Sequence, residues 1–135
     1  MMDIHPLVIH YPIALLTTYV LFEIFRIKPE AKVTILILGE ISAIVTHIAA
    51  RFSPALSVPS ALSDTYKMSM LITAIIFGLI TLMYISKKDK TIVIIPLSLI
   101  GLFSVVVSGG LFGATVYGTH FDPYLAPIFK ILGVY

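Results

Sequence analysis

Residues 92–117 read IVIIPLSLIGLFSVVVSGGLFGATVY, a long apolar stretch without a charged side chain. An α-helix rises ~1.5 Å per residue, so about 20 such residues cross the ~30 Å hydrocarbon core of a bilayer. Inside lipid every backbone N–H and C=O group must find a partner within the segment, and a helix meets this demand. The stretch therefore predicts a transmembrane helix.

Three further apolar stretches precede it, at residues 6–25, 33–50 and 68–85. Of the 135 residues, 59% are hydrophobic and 12% are charged, and the mean hydropathy is +1.05, far from the composition of soluble domains. We predict an all-α fold, a single transmembrane domain over residues 1–135 in which four helices form two hairpins. The segment 121–135, FDPYLAPIFKILGVY, is too short to span and predicts an interfacial tail.

The basic residues of the connections predict the orientation, because short loops rich in Lys and Arg remain cytoplasmic. Six of the nine basic residues lie at the two hairpin connections: Arg26, Lys28, Lys32, Lys87, Lys88 and Lys90. We therefore predict a multi-pass protein of the plasma membrane with both termini outside. Because the basic residues lie between the spans and form no single patch, nucleic acid is not a predicted partner.

Cysteine is absent, which excludes disulfides, thiolate metal ligands and cysteine nucleophiles. Histidine, carboxylate and backbone groups remain for chemistry. Asn, Gln and Trp are also absent, a bias that would suit a thermophile. At this length we expect a subunit that relies on partners for any chemistry needing a large extramembrane domain.

In this topology all four histidines lie toward the outer side. His10 and His47 each lie about one turn inside the outer end of antiparallel neighbouring spans, so their depths match. Two imidazoles at matched depth on neighbouring helices are suited to binding a haem iron. We predict a b-type haem ligated by His10 and His47, with His5 and His120 as reserve ligands; the alternative for each is a hydrogen-bonded interfacial histidine.

Small and charged residues surround this predicted site. Ala14, one turn below His10, leaves room for a flat ligand, and Arg51, one turn above His47, can pair with a propionate or extend to the membrane surface. Gly109 and Gly113 permit the close approach of a planar ligand or of a neighbouring helix.

Glu40 shares a helix face with His47 and lies near mid-membrane, at about the depth of Thr17. A charged carboxylate there costs about 2.5–3.5 kcal/mol on insertion scales. We expect a neutral carboxyl that is hydrogen-bonded near Thr17 or to a backbone carbonyl, and a proton relay is the alternative.

Two stretches, HPLVIHYPIALL at 5–16 and VSGGLFGATVYG at 107–118, resemble a family of small prokaryotic four-helix predicted membrane proteins. The first helix of that family opens with His-Pro, two or three apolar residues, a His, an aromatic residue and Pro-Ile. The resemblance implies b-type haem with His10 as a ligand and His5 as a further candidate.

The chain departs from the family pattern at two places. The family tends to carry a histidine at the start of the third helix, where this chain has SDTYKMSM at 63–70. It also tends to carry a glycine and an acidic residue late in the second helix, where this chain has VTHIAARF at 45–52. Either the second ligand has moved to His47, or haem binding has been lost.

The sequence thus predicts a haem b-binding membrane protein that transfers electrons near the outer face as a small subunit of a respiratory complex. Its expected neighbours are larger subunits, with quinol or an extracytoplasmic redox protein as electron partner. The alternative is a cofactor-free accessory subunit of a larger oxidase or transporter. A metal or proton-path protein that uses His10, His47 and Glu40 is a third interpretation.

Overall fold

The structure is a computed structural model that describes residues 8–53, 60–88, 90–117, 124 and 126–133. It contains five α-helices: α1 (His10–Ile24), α2 (Pro29–Ala50), α3 (Ala61–Ile85), α4 (Thr91–Tyr117) and α5 (Ala126–Ile131). No strand occurs in these residues. The predicted all-α class is confirmed.

Three helices are long and apolar enough to cross a membrane: Pro29–Ala50, Ala61–Ile85 and Thr91–Val116. They make the chain a multi-pass membrane protein and overlap three of the four predicted spans, whose bounds stay a prediction. Helix α1 has 15 residues, or about 22 Å of helix, which is less than the ~30 Å hydrocarbon core. The predicted start of its span, before Val8, lies outside the described residues.

Helices α2 and α3 begin earlier than the apolar stretches indicated. Pro29 occupies the first turn of α2, where its missing N–H is not needed. At α3, the Ser60 hydroxyl accepts a hydrogen bond from the Ser63 N–H at 3.1 Å and caps the helix. Asp64 then adds a negative charge to the first turn, where the helix dipole favours it. Because these first turns are polar, a search for apolar stretches starts both helices too late.

Helices α1 and α3 end in turns of the same kind. Arg26 and Lys87 have φ angles of 54° and 53°, in the left-handed region where a helix end usually places glycine. At the first turn the Ile27 N–H donates to the Phe22 carbonyl at 2.9 Å, and α3 closes in the same way. These turns produce the two predicted hairpins, α1–α2 and α3–α4.

The four long helices close into a ring, because α1 packs against α2 and α4 while α3 packs against the same two helices. We call the end with the two short connections the tip end, and the end that holds α5 the loop end. A cluster of buried apolar side chains fills each half of the ring. The tip-end cluster contains Leu16, Tyr19, Val20, Leu36, Ala43, Phe77, Ile80, Ile94 and Val105. The loop-end cluster contains Ile9, Ala50, Tyr66, Met70, Val107, Leu111, Phe112, Ala114 and Phe129.

Helix α5 forms part of the predicted C-terminal tail. Its Phe129 is 1% exposed and lies in the loop-end cluster. Lys130 and Ile131 on the same helix are exposed. One aromatic side chain therefore attaches the tail to the loop end of the ring, while its polar and apolar neighbours face the surroundings.

Candidate functional site

The face of α1 that carries the predicted haem ligand turns away from the centre of the ring. His10 and Ala14 are exposed, and Thr17 is half-buried. Ile13, one turn from His10, borders α4, because a methyl group added at Gly109 would lie 3.2 Å from Ile13 Cδ1. His10 therefore lies on the side of α1 that is nearer to α4. The buried side of α1 consists of Pro12, Leu16, Tyr19, Val20 and Glu23.

The face of α2 that carries Glu40 and His47 borders α3. A methyl group added at Gly78 of α3 would lie 3.4 Å from Glu40 Oε1, and His47 lies two turns along α2 on the same face. Glu40 Oε2 and His47 Nδ1 are buried and have no hydrogen-bond partner among the described residues. Arg51, one turn beyond, is exposed and close enough to His47 for electrostatic interaction.

The contacts between α1 and α2 are made by residues other than His10 and His47. Gly39 lies so close to α1 that a methyl group there would be 2.6 Å from Leu16 Cδ2. Toward the loop end, the Thr46 hydroxyl lies 3.4 Å from the Val8 carbonyl oxygen. His10 and His47 flank this interface on opposite sides, toward α4 and α3 respectively, and do not face each other across it.

In this structure His10 and His47 do not converge on a cavity of haem size. Cofactor pockets measure about 300–1,000 Å³, whereas the cavity beside Gly109 measures about 10 Å³ and is bordered by Ile13. Gly113 is buried within α4. Separately from haem, the described residues contain no group of three His, Asp or Glu side chains that could hold a metal ion directly. The reserve ligands, His5 and His120, lie outside the described residues.

A buried polar cluster at the tip end was not predicted. Glu23 of α1 is 4% exposed, and its Oε2 accepts hydrogen bonds from Lys32 Nζ at 2.9 Å and from the Tyr84 hydroxyl at 2.5 Å. Lys32 Nζ also lies 5.7 Å from the Tyr84 ring centroid, within cation–π range. Nearby, the hydroxyls of Tyr19 and Ser98 share a hydrogen bond of 3.3 Å. These five residues, the tip-end polar cluster, come from all four long helices.

Hydroxyl groups connect α3 to α4 nearer the loop end. Ser69 Oγ lies 2.7 Å from Ser108 Oγ, and Thr73 Oγ1 lies 2.7 Å from Ser104 Oγ. Polar contacts of this kind between membrane helices contribute on the order of 0.6 kcal/mol each. The two pairs are one helical turn apart, so together they define the register of α3 against α4.

A groove between α3 and α4 opens on the outside of the ring. Its volume is about 310 Å³, and its lining includes Ile72, Ile100 and Phe103. The hydroxyl-bearing residues Ser69 and Ser104 also line it. The groove faces whatever surrounds the bundle, lipid or a neighbouring chain.

The helices and these buried polar groups define the class: an all-α, multi-pass membrane protein whose long helices pack as a bundle. Comparisons of the chain with protein-family models, with curated proteins and with solved structures found no match. The candidate functional residues are therefore identified by their geometry.

Proposed function

We propose that all four long helices cross the plasma membrane, with both termini outside. Helix α1 is a full member of the ring, packed against α2 and α4. Its outward side carries Leu21 and Ile24, both exposed, as a lipid-facing surface requires. The exposed basic residues Arg26, Lys28 and Lys87 favour a cytoplasmic tip end.

Single cysteines test this orientation, because the chain has none of its own. We expect Ser86→Cys, exposed at the tip end, to resist a membrane-impermeant maleimide in intact cells. Phe52→Cys, at a site that is 81% exposed at the loop end, should react. Both thiols should react after detergent lysis, which controls for accessibility. Reaction of Ser86→Cys but not Phe52→Cys in intact cells contradicts the proposed orientation.

We propose that the chain acts as a cofactor-free accessory subunit of a larger membrane assembly, such as a respiratory oxidase or a transporter. The observation that carries this proposal is the filled interior, because apolar side chains occupy both halves of the ring. A cofactor or substrate site needs a cavity that encloses most of the ligand, lined mainly by apolar side chains with a few placed polar groups. Here the described groove opens outward instead, where it can accommodate a neighbouring helix.

Mild detergent extraction and crosslinking test the accessory role. We expect the chain to copurify with larger membrane subunits in a fixed stoichiometry. A photocrosslinking residue at Phe103, 60% exposed in the groove, should attach to one of those subunits. The matched position Ile41, 53% exposed on α2, should not. A chain that elutes alone, with equal crosslinking at both positions, contradicts the proposal.

A haem b electron-transfer protein is the second candidate, and one observation favours it. His47 Nδ1 is buried without a partner among the described residues, so this ring can bind a group from outside the chain. Electron transfer would take place near the outer face, with quinol or an extracytoplasmic redox protein as partner. We place this candidate second because His10 and His47 lie on different sides of the α1–α2 interface.

The visible spectrum of the protein purified from membranes separates the two candidates. The accessory subunit should show no Soret band. A haem protein should show a Soret band and a sharp reduced α-band, which His10→Ala and His47→Ala should remove or convert to a high-spin spectrum. Helix content measured by circular dichroism should be unchanged in both variants. An unchanged bis-histidine spectrum in His47→Ala would assign the second ligand to another histidine.

A further inference from the structure

Two glutamates lie inside the bundle in opposite surroundings. Glu23 has both an ammonium and a phenol as partners. Glu40 Oε2 is equally buried from solvent but has no partner among the described residues. Glu40 lies near the middle of α2, about 16 Å from either end of the helix at ~1.5 Å per residue. Its carboxyl is therefore at the depth where a membrane disfavours charge most strongly.

The hydrogen bond predicted for Glu40, to Thr17 or to a backbone carbonyl, is not found among the described residues. Glu40 Oε1 lies beside Gly78 of α3, where an added methyl group would be 3.4 Å away, an ordinary contact distance. Thr17 belongs to α1, and no hydrogen bond joins it to Glu40 in the described part of the chain. A carboxyl that joined two helices would have its oxygens paired, since buried polar atoms in native proteins are nearly always paired.

The neighbouring helices supply no charge for Glu40. The titratable residues described on α1 and α3, the helices packed against α2, are His10, Tyr11, Tyr19, Glu23, Asp64, Tyr66, Lys67 and Tyr84. None of them is a partner of Glu40. Tyr19, Glu23 and Tyr84 belong to the tip-end polar cluster. The other five lie in the first turns of their helices, at the loop end. Residues 91–116 of α4 contain no titratable group.

We propose that Glu40 is a reversible proton-binding site, held as the neutral acid and able to exchange its proton at the interface between α2 and α3. The step is acid–base only: a proton adds to or leaves one carboxylate oxygen, and no electron moves. Glu40 is half-buried on this interface and has no partner on its Oε2, whereas Glu23 is enclosed and ion-paired. This inference goes beyond the accessory role and requires no haem.

Dicyclohexylcarbodiimide provides the test, because it reacts with protonated carboxyls in apolar surroundings. The acid adds across a C=N bond, and the adduct rearranges to a stable N-acylurea that mass spectrometry assigns to one residue. With the purified wild-type protein in detergent, we expect the adduct at Glu40. Glu23 is the matched control in the same chain and should stay unmodified, because Lys32 and Tyr84 both contact its Oε2 and the residue is only 4% exposed. Glu40→Gln should lose the adduct.

The pH dependence of the modification rate distinguishes a carboxyl that exchanges its proton from one that stays protonated. Once the carboxyl titrates, the rate of modification should fall about tenfold per pH unit, because only the acid reacts. Glu40→Asp should retain a pH-dependent adduct. The wild-type protein alone decides the matter if variants fail to fold. Absence of the adduct at about pH 6, or a rate that is constant between about pH 5 and about pH 9, overturns the proposal.

Discussion

Lys32→Met is expected to lower the free energy of unfolding by about 3–5 kcal/mol, because it leaves a buried charge without its partner. The side chains of Glu23 and Lys32 are 5% and 12% exposed, so water cannot replace the lost ammonium group. The Tyr84 hydroxyl would remain as a neutral donor to Glu23. Unfolding of the purified protein in a denaturing detergent, followed by circular dichroism, measures the change.

Lys28→Met is the matched control, since Lys28 is the N-cap residue of α2, one turn before Lys32, but is exposed. A change within about 0.5 kcal/mol is expected there. The double variant Glu23→Leu, Lys32→Met removes both charges and should recover most of the loss, because two apolar side chains need no compensation. Equal decreases in the free energy of unfolding for Lys28→Met and Lys32→Met would show that the ion pair is not buried in the membrane-extracted protein.

The long spans were predictable because a membrane sets a minimum length for apolar helices, and length is a property of the linear sequence. Helix starts were less predictable. Pro29 and Ser60 begin α2 and α3 through backbone and capping preferences that hydropathy does not measure.

Which side of each helix faces which neighbour was not predictable from one sequence. In a membrane the outer face of a bundle is as apolar as its interior, so hydrophobic periodicity does not show which face meets which neighbour. Contacts distant in sequence decide it here: Ile13 against Gly109 directs one side of α1 toward α4, and Glu40 against Gly78 directs one side of α2 toward α3. The matched depth of His10 and His47 stays a prediction.

The tip-end polar cluster left a weak signal in the sequence. Glu23 lies inside an apolar stretch, and Lys32 follows it across a short basic turn, a spacing that allows an ion pair between adjacent antiparallel helices. Tyr84 could not be inferred, because its hydrogen bond to Glu23 joins residues 61 positions apart. Only the closure of the ring brings α3 beside the α1–α2 hairpin.

The second large effect on stability is expected at Gly39, where α2 packs against α1 in the ring. Gly39→Ala is expected to lower the free energy of unfolding by about 1–3 kcal/mol, as overpacking does in cores. The new Cβ would lie 2.6 Å from Leu16 Cδ2 and 3.0 Å from Leu16 Cγ. Leu16 is 0% exposed, and the cavity that it borders measures only about 10 Å³, so α1 must move away from α2. This cost opposes the gain of about 1 kcal/mol that alanine brings to a helix.

Gly78→Ala is the control, because its new Cβ would meet only Glu40 Oε1, at an ordinary contact distance of 3.4 Å. It should stabilise the protein by up to about 1 kcal/mol. Adding Leu16→Ala to Gly39→Ala removes the clashing methyl groups, so the two changes should couple by about 0.5–3 kcal/mol. If instead Gly39→Ala stabilises as Gly78→Ala does and shows no coupling to Leu16→Ala, then α1 does not pack against α2 in the folded protein. In that case the ring would consist of α2, α3 and α4 alone, the three helices that are long enough to span by themselves.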